Sequence, residues 1–215
     1  MNKILREPVN SLTHLSGAIL AFIALLAMLI KQSLNEPTLQ SMTALTIFGV
    51  SMMLLYSASA TYHSIISTEK VITIFKRIDH SMIFLFIAGS YAPFCLIALN
   101  TFDSKLLFSI IILCAIIGII FKLFLIGCPK WISSIMYIAI GWMALFIIEP
   151  LSATLSQQAL VLLVLGGVLY TIGGIVYCLK LEFLKNKLFG AHEIFHLFVL
   201  GGSIAHFVCV YTYLI

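Results

Sequence analysis

The chain has 215 residues, of which 62% are hydrophobic and only 9% are charged, and its mean hydropathy is +1.15. A water-soluble domain carries about 25% charged residues, so this composition excludes a soluble enzyme or binding module and indicates that lipid surrounds most of the surface. The net charge of +4 needs no nucleic-acid partner, because membrane proteins concentrate cations on the side that faces the cytoplasm.

Seven apolar stretches are long enough to cross a bilayer, which takes about 20 helical residues. In chain order they run over 12–30, 41–63, 79–99, 104–126, 131–148, 159–180 and 191–214. The connections between them are short, and they carry most of the charges and prolines. The sequence therefore predicts an all-α membrane protein in which residues 1–215 form a single domain, a seven-transmembrane helical bundle.

The twelve lysines and arginines predict the orientation of this bundle. If the N-terminus is cytoplasmic, Lys31 and Lys105 lie outside and the other ten lie on the cytoplasmic side. Because such cations accumulate in cytoplasmic loops, we expect a cytoplasmic N-terminus and an external C-terminus. Lys122, near the inner end of the fourth span, is expected to snorkel to the inner membrane surface.

Ionisable residues within apolar spans are costly and commonly functional. His63 ends the second span, Asp79 opens the third, and His192 and His196 open the seventh. In the predicted topology all three of these helix ends lie at the cytoplasmic face, although the charge count behind the topology did not use these residues. The sequence therefore predicts a buried polar site at this depth of the membrane.

The residue types in this site are those of a metal centre. His192 and His196 stand four residues apart and so face the same side of one helix. With His63 they offer three imidazoles, which leave the fourth position of a tetrahedral zinc ion open for water, as in catalytic zinc sites. Asp79 is predicted to take a proton from that water or to orient it, and Ser59 to hydrogen-bond the water or a polarised carbonyl group. Copper, nickel and iron also accept three imidazoles, so the residues alone leave the metal open.

Other polar residues admit different interpretations. The segment from His192 to His196 also matches the H-E-x-x-H pattern of zinc proteases, in which the glutamate, here Glu193, is the general base. His14 is interpreted as a capping or supporting residue rather than a ligand. His206 lies ten residues beyond His196, which is about 15 Å along a helix and too far to share the metal. Each histidine could also serve only in helix packing.

In the order and spacing of its motifs, the chain resembles the progestin and adipoQ receptor family, specifically its bacterial haemolysin III branch. The motifs are Glu7–His14, Ser59-x-x-x-His63, Arg77–His80, Gly89–Pro93, and His192-x-x-x-His196 followed by His206. The resemblance implies seven helices with a cytoplasmic N-terminus and a multi-pass location in the bacterial inner membrane. It also implies zinc held by His63, His192 and His196, with Asp79 contacting the ion through water and Ser59 beside it.

The leading functional hypothesis is a zinc-dependent hydrolase of a lipid amide or ester that acts in membrane lipid homeostasis. The resemblance supports it, because the adiponectin-receptor branch of the family is reported to hydrolyse ceramide. Membrane lipids and one zinc ion are the expected partners. Three alternatives stay open: a non-enzymatic sensor of membrane state with structural zinc, a pore-forming cytolysin as the branch name suggests, and an intramembrane protease that uses Glu193.

Overall fold

The structure is a computed structural model that describes residues 4–179 and 190–215. Within these residues, seven helical segments are long and apolar enough to cross a membrane, and no strand is present. The prediction of an all-α protein with seven transmembrane helices is therefore confirmed. The predicted end of the sixth span at residue 180 lies outside the described residues, as do four of the cations that oriented the bundle: Lys3, Lys180, Lys185 and Lys187.

Within the described part of the chain, the spans are built from eight α-helices. In chain order these are α1 (Pro8–Leu34), α2 (Leu39–Ser64), α3 (Glu69–Pro93), α4 (Phe102–Phe124), α5 (Lys130–Gly141), α6 (Ile148–Thr154), α7 (Gln157–Leu179) and α8 (Ala191–Tyr213). The third span continues from α3 through a π-helical turn, Phe94–Leu99, and the fifth consists of α5, the 3-10 segment Trp142–Ile147 and α6.

Reciprocal side-chain capping boxes define the first residues of α2 and α4. The Thr38 hydroxyl accepts the Ser41 N–H at 3.0 Å while the Ser41 hydroxyl accepts the Thr38 N–H at 3.1 Å, and Thr101 and Ser104 repeat this reciprocal box at α4. Short connections make successive helices antiparallel. The end of α2 and the beginnings of α1 and α8 therefore meet at one end of the bundle, here called the site end. That the site end faces the cytoplasm stays a prediction from the charges.

Two spans differ from their predicted limits by more than four residues. The α3 helix begins at Glu69, ten residues before the predicted start at 79, because residues 69–78, in which charged and apolar side chains are mixed, lengthen the helix beyond the apolar run. Asp79 therefore lies inside α3, about 15 Å from its first residue. The fifth span reaches Thr154 rather than 148, since Pro150 falls in the first turn of α6, where proline is tolerated.

The expectation for Lys122 is wrong. The side chain does not snorkel to the membrane surface; the residue is only 2% exposed. Its ammonium donates a hydrogen bond to the Ser133 hydroxyl and lies 3.4 Å from the Cys128 sulfur. Both partners belong to the start of the fifth span and the loop before it, so they offer acceptors inside the bundle within reach of the lysine.

Candidate metal centre

Three histidines come together at the site end. His63 lies one residue before the end of α2, and His192 and His196 lie in the first turns of α8. One ligand nitrogen from each is within 4.8 Å of the others, and the Nε2 atoms of His63 and His192 are 3.2 Å apart. Two nitrogens that each lie about 2.0 Å from one tetrahedral zinc ion are about 3.3 Å apart. The spacing thus fits a shared ion, and these three close histidines could hold a metal.

Glu7 fixes the orientation of the His63 ring. The His63 Nδ1–H donates to Glu7 Oε2 at 2.7 Å, and because an ionised carboxylate only accepts, Nδ1 must carry the hydrogen. The hydrogen bond from His63 is the main cause that lowers the pKa of Glu7 to about 2. The Nε2 lone pair of His63 is therefore left for the cluster, the arrangement in which a carboxylate orients a metal-binding imidazole.

The chain around Glu7 ties three helices together. The Glu7 backbone N–H donates to the His63 carbonyl at 3.0 Å, which holds the N-terminal segment along the end of α2. The Asn10 side-chain amide donates both to Glu7 Oε2, at 3.1 Å, and to Glu193 Oε1, at 2.8 Å. Glu7 and Asn10 are not among the site residues predicted from the sequence. The only signal was that both lie in the Glu7–His14 motif, since no local pattern pairs residue 7 with residue 63.

Glu193 has both carboxylate oxygens engaged. Oε1 accepts from Asn10, and Oε2 accepts the Gly190 backbone N–H at 2.8 Å, which caps α8. The residue is also not among those that line the adjoining cavity. This position suits a structural role in the first turn of α8 better than that of a general base.

Asp79 and Ser59 lie at the wall of a cavity between the helices, next to the cluster. Both are buried, and the Ser59 hydroxyl is next to the Asp79 carboxylate. His192 and His196 line the same cavity, so four of the five predicted site residues share one wall, with His63 behind them. His14 also reaches this wall, where its ring stacks on His196 at a centroid distance of 3.6 Å. It is not part of the three-histidine cluster.

The cavity runs from the cluster into the bundle. Its volume is about 360 Å³, and along α3 its lining extends from Asp79 to Phe94, which is about 22 Å of helix. Beyond the site end the wall is mostly aliphatic and aromatic and includes Leu151 and Leu163 at the far end. An elongated apolar cavity with convergent polar groups at one end is typical of a site for a small amphipathic molecule.

Comparison with known proteins places the chain in a family. A model of the family described as haemolysin-III related matches residues 2–207. Hemolysin-3 of Bacillus cereus is 42% identical, with 100% of this chain and 95% of that protein aligned, and a Hemolysin-3 homolog of Bacillus subtilis is 39% identical over 99% and 96%. The human monocyte to macrophage differentiation factor is 27% identical over 95% of this chain and 83% of that protein. These matches confirm the predicted family, and the chain belongs to the haemolysin III-related membrane proteins.

Proposed function

We propose that this protein is a zinc-dependent hydrolase that cleaves a lipid amide or ester within the membrane. The observation that carries the proposal is the placement of three close histidines, Asp79 and Ser59 at one end of an elongated apolar cavity. A lipid chain fits such a cavity, and its carbonyl group would then lie at the polar end. The high identity to proteins of Bacillus species and the predicted orientation favour a bacterial cytoplasmic membrane, with the site near the inner face.

The residues divide the chemistry among them. Zinc held by His63, His192 and His196 supplies Lewis acidity, which polarises a carbonyl group and makes water a stronger nucleophile. The Asp79 carboxylate accepts the proton of the attacking water and returns it to the leaving amine or alkoxide. The Ser59 hydroxyl hydrogen-bonds the Asp79 carboxylate and keeps it in place. The Glu7 carboxylate fixes the orientation of the His63 ring. The apolar wall binds the chain and limits the access of bulk water.

The first test is the metal content of the purified full-length protein, measured by plasma mass spectrometry without chelator. We expect about one zinc per chain in the wild type and almost none in a His192→Ala/His196→Ala variant, because a single remaining imidazole binds zinc weakly. If the purified wild-type protein contained no metal, the proposed function would be wrong. The same measurement identifies the metal, since iron, nickel and copper also suit imidazole ligands.

The second test is a screen of lipid amides and esters with the wild type, Asp79→Asn, and Asp103→Asn as a control near the start of α4. We expect Asp79→Asn to retain zinc and to lose hydrolysis by a factor of about 10²–10⁴, the usual contribution of a general base. If Asp79→Asn turned over every substrate as fast as the wild type, the mechanism would be wrong. Bound zinc with no hydrolysis of any lipid would instead favour a membrane sensor that uses the metal structurally.

A further inference from the structure

A fourth histidine lies on the cavity wall at the site end, beside the metal cluster. His80 directly follows Asp79 on α3 and lines the cavity. In the described part of the chain, no group hydrogen-bonds its ring. The residue is partly exposed and its ring nitrogens keep accessible surface, whereas both ring nitrogens of His14 are enclosed. The proposed hydrolysis makes no use of the His80 ring.

Three lysines from three helices surround this histidine. Lys76 lies one turn before His80, so the two side chains share a face of α3. Lys122 belongs to the last turn of α4, and Lys130 is the first residue of α5. The ammonium groups of all three act on the His80 ring. Two of them, Lys76 and Lys130, also act on His192, so the positive field extends to the metal cluster.

Two of the three lysines are not the solvated cations that a membrane surface ordinarily carries. Lys122 is 2% exposed, and its ammonium has the neutral partners Ser133 and Cys128. Lys130 places its ammonium 4.0 Å from the centre of the Tyr177 ring, and this ring lines the cavity. A cation that is shielded from water is costly unless a negative charge lies near it.

The described residues supply little negative charge to this part of the cavity. Neither Lys76 nor Lys122 forms an ion pair with a described carboxylate, and Asp79 is the one acid in the described lining. The Asp79 carboxylate has Ser59 as its hydrogen-bond partner. An anion bound beside His80 would balance the lysine charges, and the N–H of the accessible ring would donate a charge-assisted hydrogen bond to it.

We propose that this end of the cavity is a phosphate-binding subsite, in which His80 donates a hydrogen bond to a phosphate oxygen and the three lysines supply the compensating charge. Phosphate offers three acceptor oxygens and up to two negative charges, which suit several lysines better than the single charge of a carboxylate does. The ligand is a phosphate group carried by the lipid that occupies the cavity.

The position of the subsite narrows the substrate class. This step rests on the proposed function, because it takes the scissile carbonyl to lie at the metal cluster. His80 is adjacent to Asp79, and Lys76 is about 4.5 Å from Asp79 along α3. The phosphate must therefore be only a few bonds from the carbonyl group. Acyl lipids that carry a phosphate two or three carbons from the ester or amide, such as acyl esters of glycerol phosphate, have this spacing.

The test compares an alkylglycerol with the phosphate ester of the same alkylglycerol. Both are ethers, which a hydrolase of esters and amides does not cleave, so binding is measured apart from catalysis. The full-length wild type, as purified, is kept in an uncharged detergent without phosphate, and each lipid displaces an uncharged fluorescent alkylglycerol. We expect the phosphate lipid to bind about 10–100-fold more tightly, the effect of a hydrogen bond to a charged group. Glycerol phosphate and inorganic phosphate, which lack the chain, should not displace the probe at the same concentrations.

Two variants and a matched control locate the subsite. His80→Phe keeps a ring without a donor and should lower the preference for the phosphate lipid about tenfold. Lys76→Gln removes one partly exposed charge and should lower it about two- to fivefold. Lys70→Gln removes an exposed charge from the first turn of α3 and should leave the preference unchanged. Zinc content should stay at the wild-type value in all three.

The possible failures are distinguishable. Equal binding of the two lipids by the wild type would overturn the subsite even if no variant folded, and would leave the hydrolase proposal intact. A preference that His80→Phe does not change, or that Lys70→Gln lowers as much as Lys76→Gln, would assign it to the overall positive charge of this end and also overturn the subsite. Displacement of the probe by inorganic phosphate as effectively as by the lipid would overturn the assignment to a lipid head group. A phosphate preference that His80→Phe abolishes, in a protein that hydrolyses no lipid, would confirm the subsite and refute the proposed function.

Discussion

His63 and His206 are held through different ring nitrogens. His63 lies in the cluster at the polar end of the cavity, and His206 lies on the cavity wall. In His63 the anchored nitrogen is Nδ1, which donates to the Glu7 carboxylate at 2.7 Å, and Nε2 faces Nε2 of His192 at 3.2 Å. In His206 the anchored nitrogen is Nε2, which donates to the Leu163 carbonyl at 3.2 Å, and Nδ1 is buried without a partner in the described residues. The second nitrogen of His63 thus faces other metal-ligating groups, whereas that of His206 is enclosed.

The difference lies in the charge behind the ring. A carboxylate behind His63 makes the free nitrogen more basic and compensates a cation in front of it, as in metal sites. The carbonyl behind His206 is neutral, and within the described residues His206 belongs to no cluster of three metal-ligating groups. The first ring therefore suits a metal ion, whereas the second ring is held by packing and by one hydrogen bond to α7.

The largest effect is expected from removing the charge behind His63. Glu7→Gln keeps an acceptor oxygen but loses the carboxylate charge, and Glu7→Ala loses both. Because outer partners of metal-binding histidines contribute about 10–100-fold to affinity, zinc should bind about tenfold more weakly in Glu7→Gln and up to about 100-fold more weakly in Glu7→Ala. Competition with a chromophoric chelator measures both affinities.

Glu69→Gln is the matched control, since Glu69 is an exposed acid at the first turn of α3. It should leave zinc affinity unchanged. If Glu7→Gln and Glu69→Gln weakened zinc equally, the cause would be net charge at this end of the bundle, and the specific role of the Glu7–His63 pair would be refuted.

The anchor of His206 is tested by Gly166→Ala. The new methyl group would overlap the imidazole ring, so the ring or α7 must move. Overpacking of this kind costs about 1–3 kcal/mol, and thermal unfolding in detergent should show a lower midpoint. Gly141→Ala serves as the control, because a Cβ atom there meets nothing within 4 Å. A Gly166→Ala variant as stable as Gly141→Ala would show that the ring is not packed against α7.

Much of the fold could be predicted from the sequence because the bilayer fixes the length of a span and short connections alternate helix direction. These two constraints are sufficient to predict that His63, His192 and His196 lie at the same end of the bundle. The start of α3 differs from the prediction because four of the residues 69–78 are charged, and a helix need not end where the uninterrupted apolar run does. Lys122 was missed because its acceptors, Ser133 and Cys128, belong to the next span and its connection.

The hydrogen-bond partners of His63 and His206 could not be predicted either, because they lie far from these histidines in the sequence. Glu7 reaches His63 only because the N-terminal segment runs back along α2, and Leu163 reaches His206 only through the packing of α7 on α8. Such contacts depend on tertiary packing between residues far apart in the chain. The sequence could place His206 too far from the metal to be a ligand, but it could not show which of its nitrogens is free.

The smallest effect is expected from Tyr56→Phe, which tests how much the hydroxyl cluster of Tyr56, Tyr170 and Ser203 beside His206 contributes to stability. The change removes one hydrogen bond to Ser203 and should lower the free energy of unfolding by about 0.5–1.5 kcal/mol, measured by thermal unfolding. Ser203 still donates to Val199 and keeps its contact with Tyr170, so no new donor becomes available to His206. A Tyr56→Phe variant as stable as the wild type would show that this hydrogen bond contributes nothing to stability, and the hydroxyl cluster would then be held by packing alone.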